Sequence, residues 1–126
     1  MSVVLDASAL LAVLLDEPGS NLVFSVMRGS AMSAVNASES FSRVVDKGHS
    51  PDSVATLLRE FEIDVIPFRL NEAAAAAALR SRTRSVGASL GDRACLALAI
   101  QRGQPVYTGD RRLAELDLGI EVRLIR

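Results

Sequence analysis

Four acidic residues stand where this chain changes from one kind of secondary structure to another: Asp6, Glu39, Asp92 and Asp110. Asp6 closes the apolar run Val3-Val4-Leu5. Asp92 lies at the opening of a helix in Ser89-Leu90-Gly91-Asp92-Arg93, and Asp110 follows the strand-like Val106-Tyr107-Thr108-Gly109. Carboxylates gathered at one sheet edge, in a chain with one His and one Cys, point to a hard, oxygen-bound Mg²⁺ or Mn²⁺ and to phosphate chemistry. Without a cation such carboxylates repel one another and shift each other's pKa values. Mg²⁺ resolves the repulsion, binding through one or two carboxylates, water and substrate phosphate, where it polarises a phosphoryl oxygen.

Each acid also has a purely structural reading. Asp6 can begin a turn, although ligands in open α/β sheets bind beyond the carboxyl ends of strands, where it points. Asp92 stands three residues after Ser89, the spacing of a capping box. Asp110 can N-cap a helix that begins at Arg111. If Asp6 and Asp92 belong to a like-charged cluster, removing either carboxylate should leave stability unchanged or raised. On a helical wheel from Ala34 to Lys47 the apolar face is Ala34, Ala37, Phe41, Val44 and Val45. Glu39 falls opposite, beside Arg43 at i+4, where a solvated ion pair is the default. A cleft lined by that polar face gives the same pattern.

The elements that must position these residues alternate along the chain. Val3-Val4-Leu5 is a short buried strand; Ser8 can cap a helix over Ala9–Asp16, broken by Pro18-Gly19. A helix over Ser20–Met27 precedes a strand at Ala31–Ser33, and a helix over Asn36–Lys47 follows. Ser50-Pro51-Asp52 starts another, to Phe61, and Ile63–Ile66 is the third strand. Asn71 caps a long alanine-rich helix to Arg84. The helix capped by Ser89 has a body, Ala94–Ile100, that is apolar on every side and must be buried. Pro105–Thr108 is the fourth strand, Arg111–Leu116 a short helix and Glu121–Ile125 the last strand. This alternation predicts a three-layer α/β/α sandwich on a parallel central sheet, as one domain over residues 1–126.

Composition sets limits without naming a partner. Hydrophobic residues make up 49% of the 126, enough for a well-filled core and against long disorder. No apolar run reaches the roughly 18 residues of a membrane span, and no basic segment with a cleavage-like site heads the sequence. A cytoplasmic location is therefore expected, with Cys95 a buried, reduced thiol. The net charge of −1 neither favours nor excludes nucleic acid, and all basic residues but Lys47 are arginine, the better fork for phosphate. Arg80, Arg82 and Arg84 read as a solvated helix end, while Arg93 and Arg112 could meet substrate phosphate or a neighbouring carboxylate.

Four stretches in order resemble the PIN-domain ribonucleases, and specifically the VapC toxins of type II toxin–antitoxin systems: Val4–Ala12, Met32–Glu39, Ser89–Ala99 and Val106–Arg111. The resemblance implies an α/β/α fold and a Mg²⁺- or Mn²⁺-dependent endoribonuclease acting on RNA, working as a homodimer neutralised by a cognate antitoxin. Asp6 and Asp92 match the principal metal-binding acids, Glu39 the second family acid, and Asp110 the more variable fourth. Ser8 and Thr108 match supporting hydroxyls, and Arg93 and Arg112 become candidate RNA or antitoxin contacts. The resemblance thus lifts Glu39 from the surface into the site. Family members often carry Ala where Gly109 stands, a difference expected only to loosen a turn.

Other phosphate-handling classes fit less well. A haloacid-dehalogenase-like phosphatase needs a second Asp at position 8, which is Ser8; a receiver domain needs a lysine beyond the last strands, and the only lysine is Lys47. Dinucleotide and Walker loops are absent, and His49 is alone, so a paired-histidine ribonuclease is excluded. The remaining alternatives are a PIN-like module that binds RNA or protein without cleaving it, and a housekeeping RNA-processing nuclease. A small antitoxin-like reading frame directly upstream would discriminate among these.

Overall fold

The computed structural model describes residues 2–126. Five short strands form one parallel sheet: β1 (Val4–Leu5), β2 (Ala31–Ser33), β3 (Asp64–Ile66), β4 (Val106–Thr108) and β5 (Val122–Leu124). Their order is β3-β2-β1-β4-β5, with β1 central and every neighbouring pair parallel. The chain lays β2 and β3 on one side of β1, then returns to place β4 and β5 on the other. Order therefore reverses between β1 and β4, the kind of crevice where open α/β sheets bind ligands.

Side chains of a strand alternate between faces, and the shortest strand shows it. Leu5 packs with Leu10, Val23, Met27 and Val44, beneath α1 (Ala7–Leu14), α2 (Ser20–Val26), α3 (Ala34–Asp46) and α4 (Asp52–Glu60). Its neighbour Val4 packs on the opposite face with Leu79, Cys95, Leu96 and Val106. That second layer contains α5 (Leu70–Ala78), α6 (Arg80–Thr83) and α7 (Leu90–Arg102), so the expected three-layer sandwich is what forms. Among the described residues no helix is long and apolar enough to cross a membrane.

Several boundaries move for local reasons. Asp6, not Ser8, caps α1: its Oδ1 accepts from the Ala9 amide at 3.0 Å. That helix stops at Leu14, and Asp16 turns into the left-handed region at φ 53°. Helix α3 starts at Ala34, two residues early, because the Ser33 hydroxyl accepts from the Val35 amide. The alanine-rich helix is interrupted. It starts at Leu70 with Glu72 accepting the Arg69 amide at 2.8 Å, leaving Asn71 exposed and uninvolved as a cap. It ends at Ala78, tightened by Leu79 N donating to Ala76 O, and continues as α6 and a 3₁₀ turn over Arg84–Val86. Thr83 donates its hydroxyl to Leu79 O, a backbone-directed bond that competes with regular helix. The body of α7 is buried as expected, except for half-buried Ala97 and for Ile100 at 38% exposed.

Candidate active site

Asp6 leaves the end of β1 beside the end of β4, and two hydroxyls meet it there. Leu5 pairs with Tyr107, which brings Asp6 alongside Thr108. Thr108 Oγ1 donates to Asp6 Oδ2, and Ser8 Oγ donates to Asp6 Oδ1 at 2.6 Å. Ser8 Oγ also accepts the Gly109 amide at 2.8 Å, tying the start of α1 to the turn after β4. Both supporting hydroxyls therefore act on Asp6. Burial, with Asp6 only 6% exposed, pushes its carboxyl above the usual range; the Ser8, Thr108 and Ala9 donors oppose this, and nearby Asp92 adds to it.

Asp92 reaches the same crevice from the first turn of α7 and forms the capping box its spacing predicts. Its Oδ2 accepts the Ser89 amide at 2.9 Å, while its own amide donates to Ser89 Oγ at 3.2 Å. Asp110 caps the 3₁₀ turn Arg111–Glu115, accepting the Arg112 amide at 3.0 Å. The structural and functional readings of these acids are not exclusive. Asp6, Asp92 and Asp110 each serve as a cap and also line one cleft of about 530 Å³ that Glu39 shares. Asp6 caps α1 and the Asp92 carboxylate closes the Ser89 capping box, so truncating either to Ala removes a helix-end hydrogen bond that counts against the relief of repulsion.

Glu39 is exposed, as the wheel has it, but its exposed side faces the cleft. The expected ion pair with Arg43 does not form; Asn36 Nδ2 donates to Glu39 Oε1 at 2.8 Å instead. The same Nδ2 donates to Gly91 O at 3.1 Å, so one amide joins α3 to α7. A flipped amide would set its oxygen against two acceptors, which fixes the orientation. Asn36 is 2% exposed, and the buried arc of α3 is Asn36, Ala37, Ser40 and Val44, while Val45 is 54% exposed. The wheel was centred too far round because it counted apolar residues, whereas this interface is built from small and amide side chains. The i, i+4, i+8 spacing of Asn36, Ser40 and Val44 is the signal that could have found it.

Gly91 is a second residue the sequence does not announce. A Cβ there would lie 2.6 Å from Glu39 Cδ, so the carboxylate rests where a side chain would otherwise be. At Gly109, which the sequence marks only as a looser turn, a Cβ would lie 2.7 Å from Arg126 Nη2. Gly109 therefore does more than loosen a turn. Arg126 lines the cleft, and nothing in the sequence pattern pointed to it.

The two candidate arginines part company. Arg93 turns away to α5, donating from Nη1 to Ala76 O at 3.3 Å, and meets none of the four acids. Arg112 grips both oxygens of Asp110, with Nε 3.1 Å from Oδ1 and Nη2 2.7 Å from Oδ2, and stands 3.8 Å from Asp92 Oδ2. Its Nη1 is anchored on Val86 O at 2.8 Å. This guanidinium holds the Asp110 carboxyl below the usual carboxylate range. Arg80, Arg82 and Arg84 are exposed, as expected. Cys95 is fully buried, and burial, then Asp6, Asp92 and Glu39, push its thiol well up, so it is inert at neutral pH.

The donor set fits a hard cation in an open site. Asp92 Oδ1 and Glu39 Oε2 accept no protein hydrogen bond, and Asp6 Oδ2 accepts one. Asp110, both of whose oxygens are engaged by Arg112, is the least available. Among the described residues no three His, Cys, Asp or Glu side chains converge as a closed cage would require. One or two carboxylates, with water and substrate phosphate completing the shell, is the mode in which Mg²⁺ is held.

Comparison with known proteins agrees with this geometry. The PIN domain family model matches residues 3–118. No curated protein sequence matches the chain. A toxin–antitoxin complex from Klebsiella pneumoniae superposes with a TM-score of 0.75 at 18% identity, covering 94% of this chain and 95% of that one. VapC20 of Mycobacterium tuberculosis, described as a Sarcin-Ricin loop cleaving toxin, gives 0.73 at 16% identity over 92% and 97%. These two show the fold. VapBC-5 of Mycobacterium tuberculosis, a member of the VapBC family of toxin–antitoxin systems, gives 0.59 at 26% identity over 99% and 98%. With the acids at the β1–β4 crevice and a family match over nearly the whole chain, this protein belongs to the PIN domain family.

Proposed function

We propose that this protein is a Mg²⁺- or Mn²⁺-dependent endoribonuclease and the toxin of a type II toxin–antitoxin pair. The observation that carries the reading is the cleft at the strand-order reversal, where Glu39 and Asp92 each keep one oxygen free of protein hydrogen bonds and Asp6 keeps one oxygen with a single donor. Asp6 and Asp92 would hold the cation, with Glu39 completing the set through water. A bound cation supplies positive charge to the phosphoryl oxygens and makes water acidic enough to attack at neutral pH. Ser8 and Thr108 favour the ionised form of Asp6 against its burial and fix its orientation at the cleft. Asn36 holds Glu39 over Gly91, on the wall of the cleft that Asp6 and Asp92 also line.

The toxin role rests on the likeness to VapBC-5 and on the openness of the cleft. An accessible RNA-cutting site is harmful unless blocked, and a partner segment placing an Arg among the acids would stand in for the cation's charge. The test is RNA cleavage by the purified chain with Mg²⁺, Mn²⁺ or EDTA, beside growth of cells expressing it with and without the neighbouring upstream gene. Cleavage only with metal, growth arrest and rescue are expected. Full cleavage in EDTA would overturn the metal-dependent reading. Tolerance at high expression, with cleavage confirmed in vitro, would favour a housekeeping nuclease.

A further inference from the structure

The floor of the cleft is acidic, yet two arginines on its rim have no carboxylate partner among the described residues. Ion pairs among those residues involve only Arg28 and Arg112. Arg43 stands on the α3 side of β1, one helical turn beyond Glu39, and Arg126 on the β4–β5 side. Arg126 is seated by three contacts. Ile125 before it is buried, with its amide donating to Thr108 O at 3.0 Å. Arg126 Nη1 donates to Pro18 O at 2.9 Å. The guanidinium covers Gly109, where a Cβ would come 2.8 Å from Cζ. Only one of its five N–H groups is thereby used.

We infer that Arg126, with Arg43 across the cleft, binds the RNA backbone phosphates on either side of the scissile one. This rests on the nuclease reading above. A net charge of −1 gives the protein no general attraction for a polyanion, and the carboxylate floor repels one. Beyond the one phosphate that a bound cation would meet, attraction must come from cations at the rim, and a planar guanidinium with free N–H pairs matches phosphate bidentately. A Cβ at Gly109 would take the space that the Arg126 guanidinium covers, so the fork would have to shift from this seat.

The test uses the full chain in Mg²⁺ with a short single-stranded RNA. Arg126→Ala, Arg43→Ala and Gly109→Ala are compared for KM, kcat and Mn²⁺ affinity. RNA affinity is measured across NaCl concentrations in an Asp92→Asn background. Arg126→Ala and Gly109→Ala should each raise KM roughly tenfold, with kcat changed by less than about twofold and Mn²⁺ affinity intact. The slope of log affinity against log salt should fall by about 0.7 for each phosphate that is no longer neutralised. Gly109→Ala should add nothing on top of Arg126→Ala, since both act through one guanidinium. Unchanged KM and salt slope in Arg126→Ala, with the parent protein still cleaving, would overturn the clamp and leave the nuclease reading standing. No cleavage by the parent protein would overturn both. Poly-glutamate bound through Arg126 more tightly than RNA would reassign the rim to an acidic protein segment.

Discussion

Asn36 is buried in the contact between α3 and α7, and from there its amide holds the exposed Glu39 at 2.8 Å and the Gly91 carbonyl at 3.1 Å. A core residue thus sets the position of a carboxylate at the solvent. Asn36→Ala should lower Mn²⁺ affinity by about 10- to 100-fold, the usual effect of losing an outer-shell partner. It should also destabilise the fold by about 1–3 kcal/mol. Titration of Mn²⁺ and a thermal melt in EDTA measure the two effects separately. Full affinity in Asn36→Ala would mean Glu39 needs no holder.

Gly91→Ala approaches the same carboxylate from below. Alanine is the better helix former by about 1 kcal/mol, so stability in EDTA should hold or rise. The new Cβ would claim the space 2.6 Å from Glu39 Cδ, so cleavage and Mn²⁺ affinity should both fall. A stable variant with unimpaired cleavage would show that Glu39 can work from elsewhere.

Asp92 should separate its two roles by substitution. Asp92→Asn keeps an oxygen for the Ser89 amide, whereas Asp92→Ala deletes that half of the capping box. Both variants should lose cleavage, but only Ala should lose about 1 kcal/mol of stability by denaturant unfolding. Equal stabilities would mean the cap contributes nothing.

Asp6 should make the metal-free protein less stable as pH rises. Its folded pKa is raised, mainly by burial, so between the unfolded and folded values the native state binds the extra proton. Stability from this group is therefore greatest in acid and declines through that window, and at neutral pH the buried charge is a cost. Asp6→Asn retains an oxygen for the Ala9 amide and should melt higher at pH 7 in EDTA, with the gain shrinking in acid. A lower midpoint at pH 7 would show that the Ser8 and Thr108 donors outweigh burial.

Cleavage products should carry a 5′-phosphate and a 3′-hydroxyl. His49 is exposed between α3 and α4, and the cleft is lined by no histidine. No acid–base pair is therefore present to drive attack by the ribose 2′-hydroxyl. Mass spectrometry of a cleaved oligonucleotide reads the ends, and a 2′,3′-cyclic phosphate would rule out water as the nucleophile.

Five strands, their parallel arrangement and the places of Asp6, Asp92 and Asp110 were legible in the chain alone. They follow from local patterns: continuous apolar runs between helices, and acids at the junctions where strands end and helices start. Caps are local as well, yet Ser8, the expected cap of α1, gives way to Asp6, while its hydroxyl turns to the Asp6 carboxylate and the Gly109 amide. Glu39, Asn36, Gly91, Gly109 and Arg126 belong to the assembled fold. A helical wheel reports one helix against an average interior, and it cannot know that Asn36 of α3 meets Gly91 in the first turn of α7. Arg126 lies 17 residues beyond Gly109 in the chain and meets it only because β5 pairs with β4. Proximity of that kind has no periodicity to read; it exists only when the sheet is assembled.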